Sequence, residues 1–288
     1  MPEVEAHPVL PKMIGGTITT PSPNLPDSTP YPRRDWVVIE KLSEHPRPVT
    51  PKDFDDGMGP AYTAGKHFCR LAGSRGHSKL AFMRIYKQIP LVSTELDNLS
   101  VRKAQASRPR YHVEFHALKH LTKNRCTTTP KLLGCQIDKQ DENDLVPDGY
   151  IIHLVWEKVR GYYPPEIEFW SLPYSRRESI RRKFKMAYTF VTEQFDYGHL
   201  TRPRAGLRFG YELSRTTASK IILNKTTDDV KVSGFRQANR ISPDTKWDDY
   251  NFVRFLLVLN SPVWYKYLSI KAKSKVNKTI AGSGEKED

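Results

Sequence analysis

Leu80-Ala-Phe-Met-Arg-Ile-Tyr86 is the run on which the fold reading turns. Its short apolar and aromatic composition suits a sheet strand, and the turn-forming Gly73-Ser-Arg-Gly-His-Ser78 just before it predicts a hairpin. Beyond it, Tyr111 to Lys123 places Glu114, Ala117, Leu118 and Leu121 at three- and four-residue spacing behind Pro109, the pattern of a helix with one buried face. Lys131-Leu-Leu-Gly-Cys-Gln-Ile137 and Tyr150-Ile-Ile-His-Leu-Val-Trp156 then read as an antiparallel pair joined by the acidic loop Asp138 to Asp148.

Downstream of Gly161 the period becomes helical. Ile180, Phe184, Ala187, Val191 and Phe195 form one stripe, opened by Ser175 and Glu178 as a capping box. Ser219 to Asn224 and Asp229 to Ser233 predict a short hairpin, and Asp248 to Asn260 a last helix. At the two ends composition changes: residues 1–50 are rich in Pro, Ser and Thr and predict a mostly irregular arm with one strand at Trp36-Val-Val-Ile-Glu40, while residues 269–288 predict a disordered tail.

Composition narrows the classes. A chain of 288 residues with 38% hydrophobic residues can bury a sizeable core. The apolar stretch Phe252 to Leu259 is far shorter than the roughly 20 residues of a membrane span. The first residues carry no secretory pattern, which predicts an intracellular protein, cytoplasmic or nuclear. Cys69, Cys126 and Cys135 are too few and too scattered for a disulfide framework or a paired zinc site. A net charge of +14 favours encounters with nucleic acid, an anionic membrane surface or acidic protein partners.

The order of these elements, and the blocks Ala81-Phe-Met-Arg-Ile-Tyr-Lys-Gln-Ile-Pro90, Tyr111-His-Val-Glu-Phe-His-Ala-Leu-Lys-His-Leu121, Leu154-Val-Trp-Glu-Lys-Val-Arg-Gly161, Phe169-Trp-Ser-Leu-Pro-Tyr-Ser-Arg-Arg177 and Asp229-Val-Lys-Val-Ser-Gly-Phe-Arg236, resemble a family of filamentous-fungal protein-kinase-like proteins. The resemblance spans roughly residues 50 to 265. It implies an α+β fold of two lobes: a small antiparallel sheet lobe with one helix over residues 51–160, and a mostly helical C-terminal lobe over residues 161–268. Trp156 to Gly161 then forms the interlobe hinge.

Carried over position by position, the resemblance implies a degenerate site. Arg84 stands where kinases place the phosphate-contacting lysine, and Glu114 where they place its helix partner, so these two brace the sheet lobe. Gly57 and Gly59 match the nucleotide-covering loop, but the third glycine is missing and Pro60 removes an amide. Arg215, Lys220 and Gly234 occupy the positions of the catalytic aspartate, the metal-binding asparagine and the metal-binding aspartate. A hard cation needs oxygen ligands, so no catalytic residue and no metal site is expected, and ATP binding fits only without the usual magnesium site.

The resulting expectation is a pseudokinase acting as a binding or scaffolding module. Its partner surface is the basic helix bearing Arg176, Arg177, Arg181, Arg182, Lys183 and Lys185. An atypical phosphotransferase using the displaced acids Asp55, Asp56, Asp228 and Asp229 is one alternative. A basic nucleic-acid binder is the other, supported by charge, with Arg102, Lys103, Arg108 and Arg110 added, but by no recognition motif. His112, His116 and His120 recur at zinc-ligand spacing on the helix of Glu114, without a further ligand to complete a site.

Overall fold

The computed structural model describes residues 9–11, 13–20, 32–73, 80–110, 112–162, 166–193, 210–213, 220–241 and 245–258. It divides into two compact units: residues 1–126 with 130–158, and residues 127–129 with 159–288.

The first unit is built on β1 (Thr17–Thr20), β2 (Arg34–Arg47), β3 (Tyr62–Leu71), β4 (Leu80–Gln88), β5 (Leu132–Lys139) and β6 (Tyr150–Glu157). They form one antiparallel sheet in the order β1-β2-β3-β4-β6-β5. The sheet curls until its two edges nearly meet. β2 shifts register twice, at Ile39 and Leu42, and β5 once, at Leu133, and such bulges bend and twist the strand that carries them. Arg34 donates to the Leu133 carbonyl at 3.1 Å, bridging the opposite edges. Gly134 lies so close to β1 that a Cβ there would sit 2.5 Å from Thr20 Oγ1.

Inside the curl lies a core of Leu10, Ile18, Trp36, Val38, Cys69, Ala81, Met83, Ile85 and Val155. Glu44 fastens the start of the described chain to it, accepting from the amides of Val9 and Leu10 and from Thr63 Oγ1. The outer face of β3, β4 and β6 is covered in part by a helix, which is why Met83 through Gln88 are buried without alternation.

Three helices accompany this sheet among the described residues. α1 (Pro51–Asp53) is capped by Thr50, with Pro51 at its first position, and runs into a single π turn, Phe54–Met58. α2 (Leu99–Ala104) is capped by Asn98, whose side chain accepts from the Val101 amide. α3 (Val113–Lys123) buries Glu114, Phe115, Ala117, Leu118 and Leu121.

The second unit holds α4 (Glu166–Ser171), α5 (Tyr174–Glu193), β7 (Gly210–Leu213), β8 (Ile221–Leu223), β9 (Val230–Val232), β10 (Ala238–Ile241) and α6 (Tyr250–Arg254). β7 pairs with β10, and β8 with β9. Phe184 and Tyr188 of α5 pack on Trp247 and Phe255.

The fold is therefore not the two-lobed kinase-like arrangement with a helical C-terminal lobe. It is mostly sheet, with a nearly closed antiparallel barrel in the first unit, and α5 is the one long helix among the described residues of the second. The expectation failed where strands carry no strong alternation. Residues 17–20 and 34–47, inside the Pro-rich stretch read as mostly irregular, supply two of the six strands. The last helix is a short turn at Tyr250–Arg254 rather than a span to Asn260.

Candidate functional site

The face of the sheet toward α3 gathers the polar and aromatic residues that sequence reasoning singled out. β4 aims Phe82, Arg84, Tyr86 and Gln88 to this side, since alternate residues of a strand share a face. Arg84 donates to both oxygens of Glu114, Nε to Oε2 at 3.0 Å and Nη2 to Oε1 at 3.3 Å, in the forked geometry that favours arginine over lysine. Tyr86 Oη donates to Glu114 Oε2 at 2.8 Å. Burial and the adjoining carboxylate push the Tyr86 hydroxyl well above its ordinary pKa, so it stays a donor. The sequence pairing of Arg84 with Glu114 is present, and Arg84 is only 7% exposed, with its guanidinium committed to that carboxylate.

Above this pair the rings form a box. His112 stacks on Tyr86 at 3.8 Å and meets Tyr62 edge-on at 4.9 Å, with Tyr150 at 5.9 Å. Burial lowers His112 to about 3, so the imidazole is neutral. His116 and His120, the other members of the four-residue series, lie against Phe115 and Asn124. Gly57 and Gly59 both take positive φ in the turn after α1, a backbone conformation that glycine adopts without strain. Arg110 donates to Met58 O at 2.7 Å and lies 6.0 Å over Tyr62, which ties that turn to the box.

Further along the same face the strands carry an arrangement that sequence reading missed. Phe68 on β3, Phe82 on β4 and Trp156 on β6 are in register across three adjacent strands, 5.8 and 6.1 Å between neighbouring rings. Two residues from each ring stands a cation: Lys66, Arg84 and Lys158. Lys66 Nζ lies 4.1 Å over Phe82, Lys158 Nζ 5.6 Å over Phe68, and the Arg84 guanidinium 5.8 Å over Trp156. Trp156 is buried, whereas Phe68, Phe82 and Lys66 are half-buried and Lys158 is exposed. The signal is an aromatic and a cation two residues apart, cation first on β3 (Lys66, Phe68) and ring first on β4 (Phe82, Arg84) and at the end of β6 (Trp156, Lys158). It is hidden on β3 because Ala64, Gly65 and Lys66 interrupt the apolar pattern ahead of Phe68.

No known protein family matches the chain, and no curated protein is similar to it.

In the second unit, Lys220 Nζ donates to the Gly234 carbonyl at 3.2 Å, and a Cβ on Gly234 would lie 2.5 Å from the lysine chain. These two positions are thus joined in a structural contact, while Arg215 lies outside the described residues. Asp228 is held by Arg176, and Asp229 by Lys183. Among the described residues no three His, Cys, Asp or Glu side chains are placed to hold a metal ion, and no helix is long and apolar enough to cross a membrane.

The cations of α5 are largely engaged within their own unit. Arg176 pairs with Asp228, Arg181 with Glu178 and the Leu257 carbonyl, Lys183 with Asp229 and the Thr227 carbonyl, and Lys185 with Asp249. Arg177 lies 5.0 Å over Trp170, and Arg182 is exposed. The helix is a salt-bridged face more than an open basic patch.

Proposed function

We propose that this chain is a non-catalytic binding protein whose recognition surface is the sheet face of Phe68 and Phe82 with Lys66 and Lys158, and that its ligand is single-stranded nucleic acid. One observation carries the reading: two half-buried rings in register on neighbouring strands, each with an ammonium beside it. Bases stack on aromatic faces whatever their identity, and cations at the edge of the stack meet the phosphates. The buried Trp156 holds the row from beneath the third strand. A flexible lysine leaves the ring when a base arrives and remains within reach of the backbone charge.

The net charge of +14 supports the same partner, since phosphate neutralisation supplies most of the affinity of such complexes. Phosphoryl transfer has less support: Arg84 is locked to Glu114, Lys220 to Gly234, and Asp228 and Asp229 to cations of α5. An acidic protein partner on α5 has less support too, because most of its cations already have acidic neighbours.

The reading is tested by competition. Phe82→Ala and Lys66→Gln proteins are compared with the parent for binding a mixed-sequence oligonucleotide and an acidic peptide. The proposal expects the oligonucleotide to lose about tenfold in Phe82→Ala, at 1–3 kcal/mol per stacked base. Equal loss for the peptide makes the face a site for acidic proteins and sinks it.

A further inference from the structure

The box around His112 contains two polar atoms that find no hydrogen-bond partner among the described residues: His112 Nε2 and Tyr150 Oη. Both residues are more than nine-tenths buried, at 5% and 1% exposure. An unsatisfied buried donor or acceptor is costly, so a native site that keeps two of them together suits a ligand that brings its own polar atoms. The charges around the box indicate what kind. Arg47 stands directly across from Tyr62 in the β2–β3 pairing and is half-buried with no acidic partner among the described residues. Arg110, over Tyr62, likewise has only a carbonyl. Both are near enough for their charge to pull against the rise that burial imposes on the Tyr150 hydroxyl. α3 starts at this corner with no side-chain cap from His112, so the positive end of its dipole points the same way. The neighbouring carboxylate, Glu114, is already neutralised by Arg84.

We propose that the corner formed by Tyr62, His112 and Tyr150 with Arg47 and Arg110 binds a phosphate group. Tyr150 Oη donates to one oxygen, neutral His112 donates to or accepts from a second according to its tautomer and the protonation of the phosphate, and the two guanidinium groups supply the charge. The six residue steps from Tyr62 to Phe68 set this corner roughly 20 Å along β3 from the stacking face, at about 3.3 Å per residue, so the two sites stand or fall separately.

The test is a titration of the full chain with inorganic phosphate by calorimetry, against acetate and against chloride at equal ionic strength. Phosphate is expected to bind saturably, with affinity falling about tenfold in Arg47→Gln and in Tyr150→Phe, the loss of one charge-assisted hydrogen bond each. Tyr150→Phe removes only an orphan hydroxyl, so its melting point without phosphate should equal or exceed the parent's, which separates lost binding from lost folding. Phe68→Ala should bind phosphate as the parent does. A response that chloride reproduces, or that survives both Arg47→Gln and Tyr150→Phe, overturns the site. A response to acetate equal to that to phosphate makes it a carboxylate site and overturns the phosphate assignment.

Discussion

Glu114 is the residue on which the first unit's polar centre rests. It accepts from Arg84 twice and from Tyr86 once, all buried. Removing one member of a buried pair leaves an uncompensated charge, so Glu114→Ala should destabilise the protein by about 3 kcal/mol or more. Replacing both partners, as Arg84→Met with Glu114→Leu, should recover much of that loss, measured by denaturant unfolding. Three further buried residues set the acid limit. Burial lowers His67 to about 4, His112 to about 3 and His153 to about 4, from 6.5. A depressed histidine is neutral in the folded state and charged in the unfolded state below pH 6.5. Its stabilisation is therefore whole above pH 6.5 and falls as pH drops toward 4, by up to about 1.4 kcal/mol per unit for each group. Unfolding midpoints should fall through that window, and His153→Leu should flatten the curve. A midpoint constant between pH 6.5 and 4 contradicts the assignment.

At the scale of elements, closure of the sheet depends on β5 reaching β1. Gly134 is the point of nearest approach, and Gly134→Val would drive a side chain into Thr20. The expected cost is about 2 kcal/mol, typical of forced overpacking, with increased hydrogen exchange in β1 and β5. If Gly134→Val melts with the parent, the edges are not in contact. Much of the element set was legible beforehand: β4, α3, the β5–β6 pair, α5 and the β8–β9 hairpin follow from periodicity and turn residues. β3 was not, because Ala64, Gly65 and Lys66 interrupt its apolar pattern and both of its faces are partly covered. β2 was underestimated because its two bulges break the alternation that marks a strand. The Arg84–Glu114 contact was reached through the kinase-like resemblance, whose two-lobed fold the structure overturns, whereas the ring row was not legible, since register across three strands belongs to the fold and not to any one segment.

For the whole molecule, local order did not fix architecture. The same succession of strand, helix and strand pair that suggested two lobes is used here to build a nearly closed sheet, because the N-terminal segments fold back along β3 and reach β5. That closure makes the sheet a rigid carrier for Phe68 and Phe82, and rigid rings bind with little ordering cost. Whether this face binds single-stranded nucleic acid is decided by fluorescence anisotropy of a labelled mixed-sequence oligonucleotide at rising salt. Binding should be saturable, with the logarithm of affinity falling linearly with the logarithm of salt, and should weaken about tenfold or more in a Phe68→Ala, Phe82→Ala protein that melts as the parent does. Absence of binding at low salt, or binding that the two alanines leave unchanged, would contradict it.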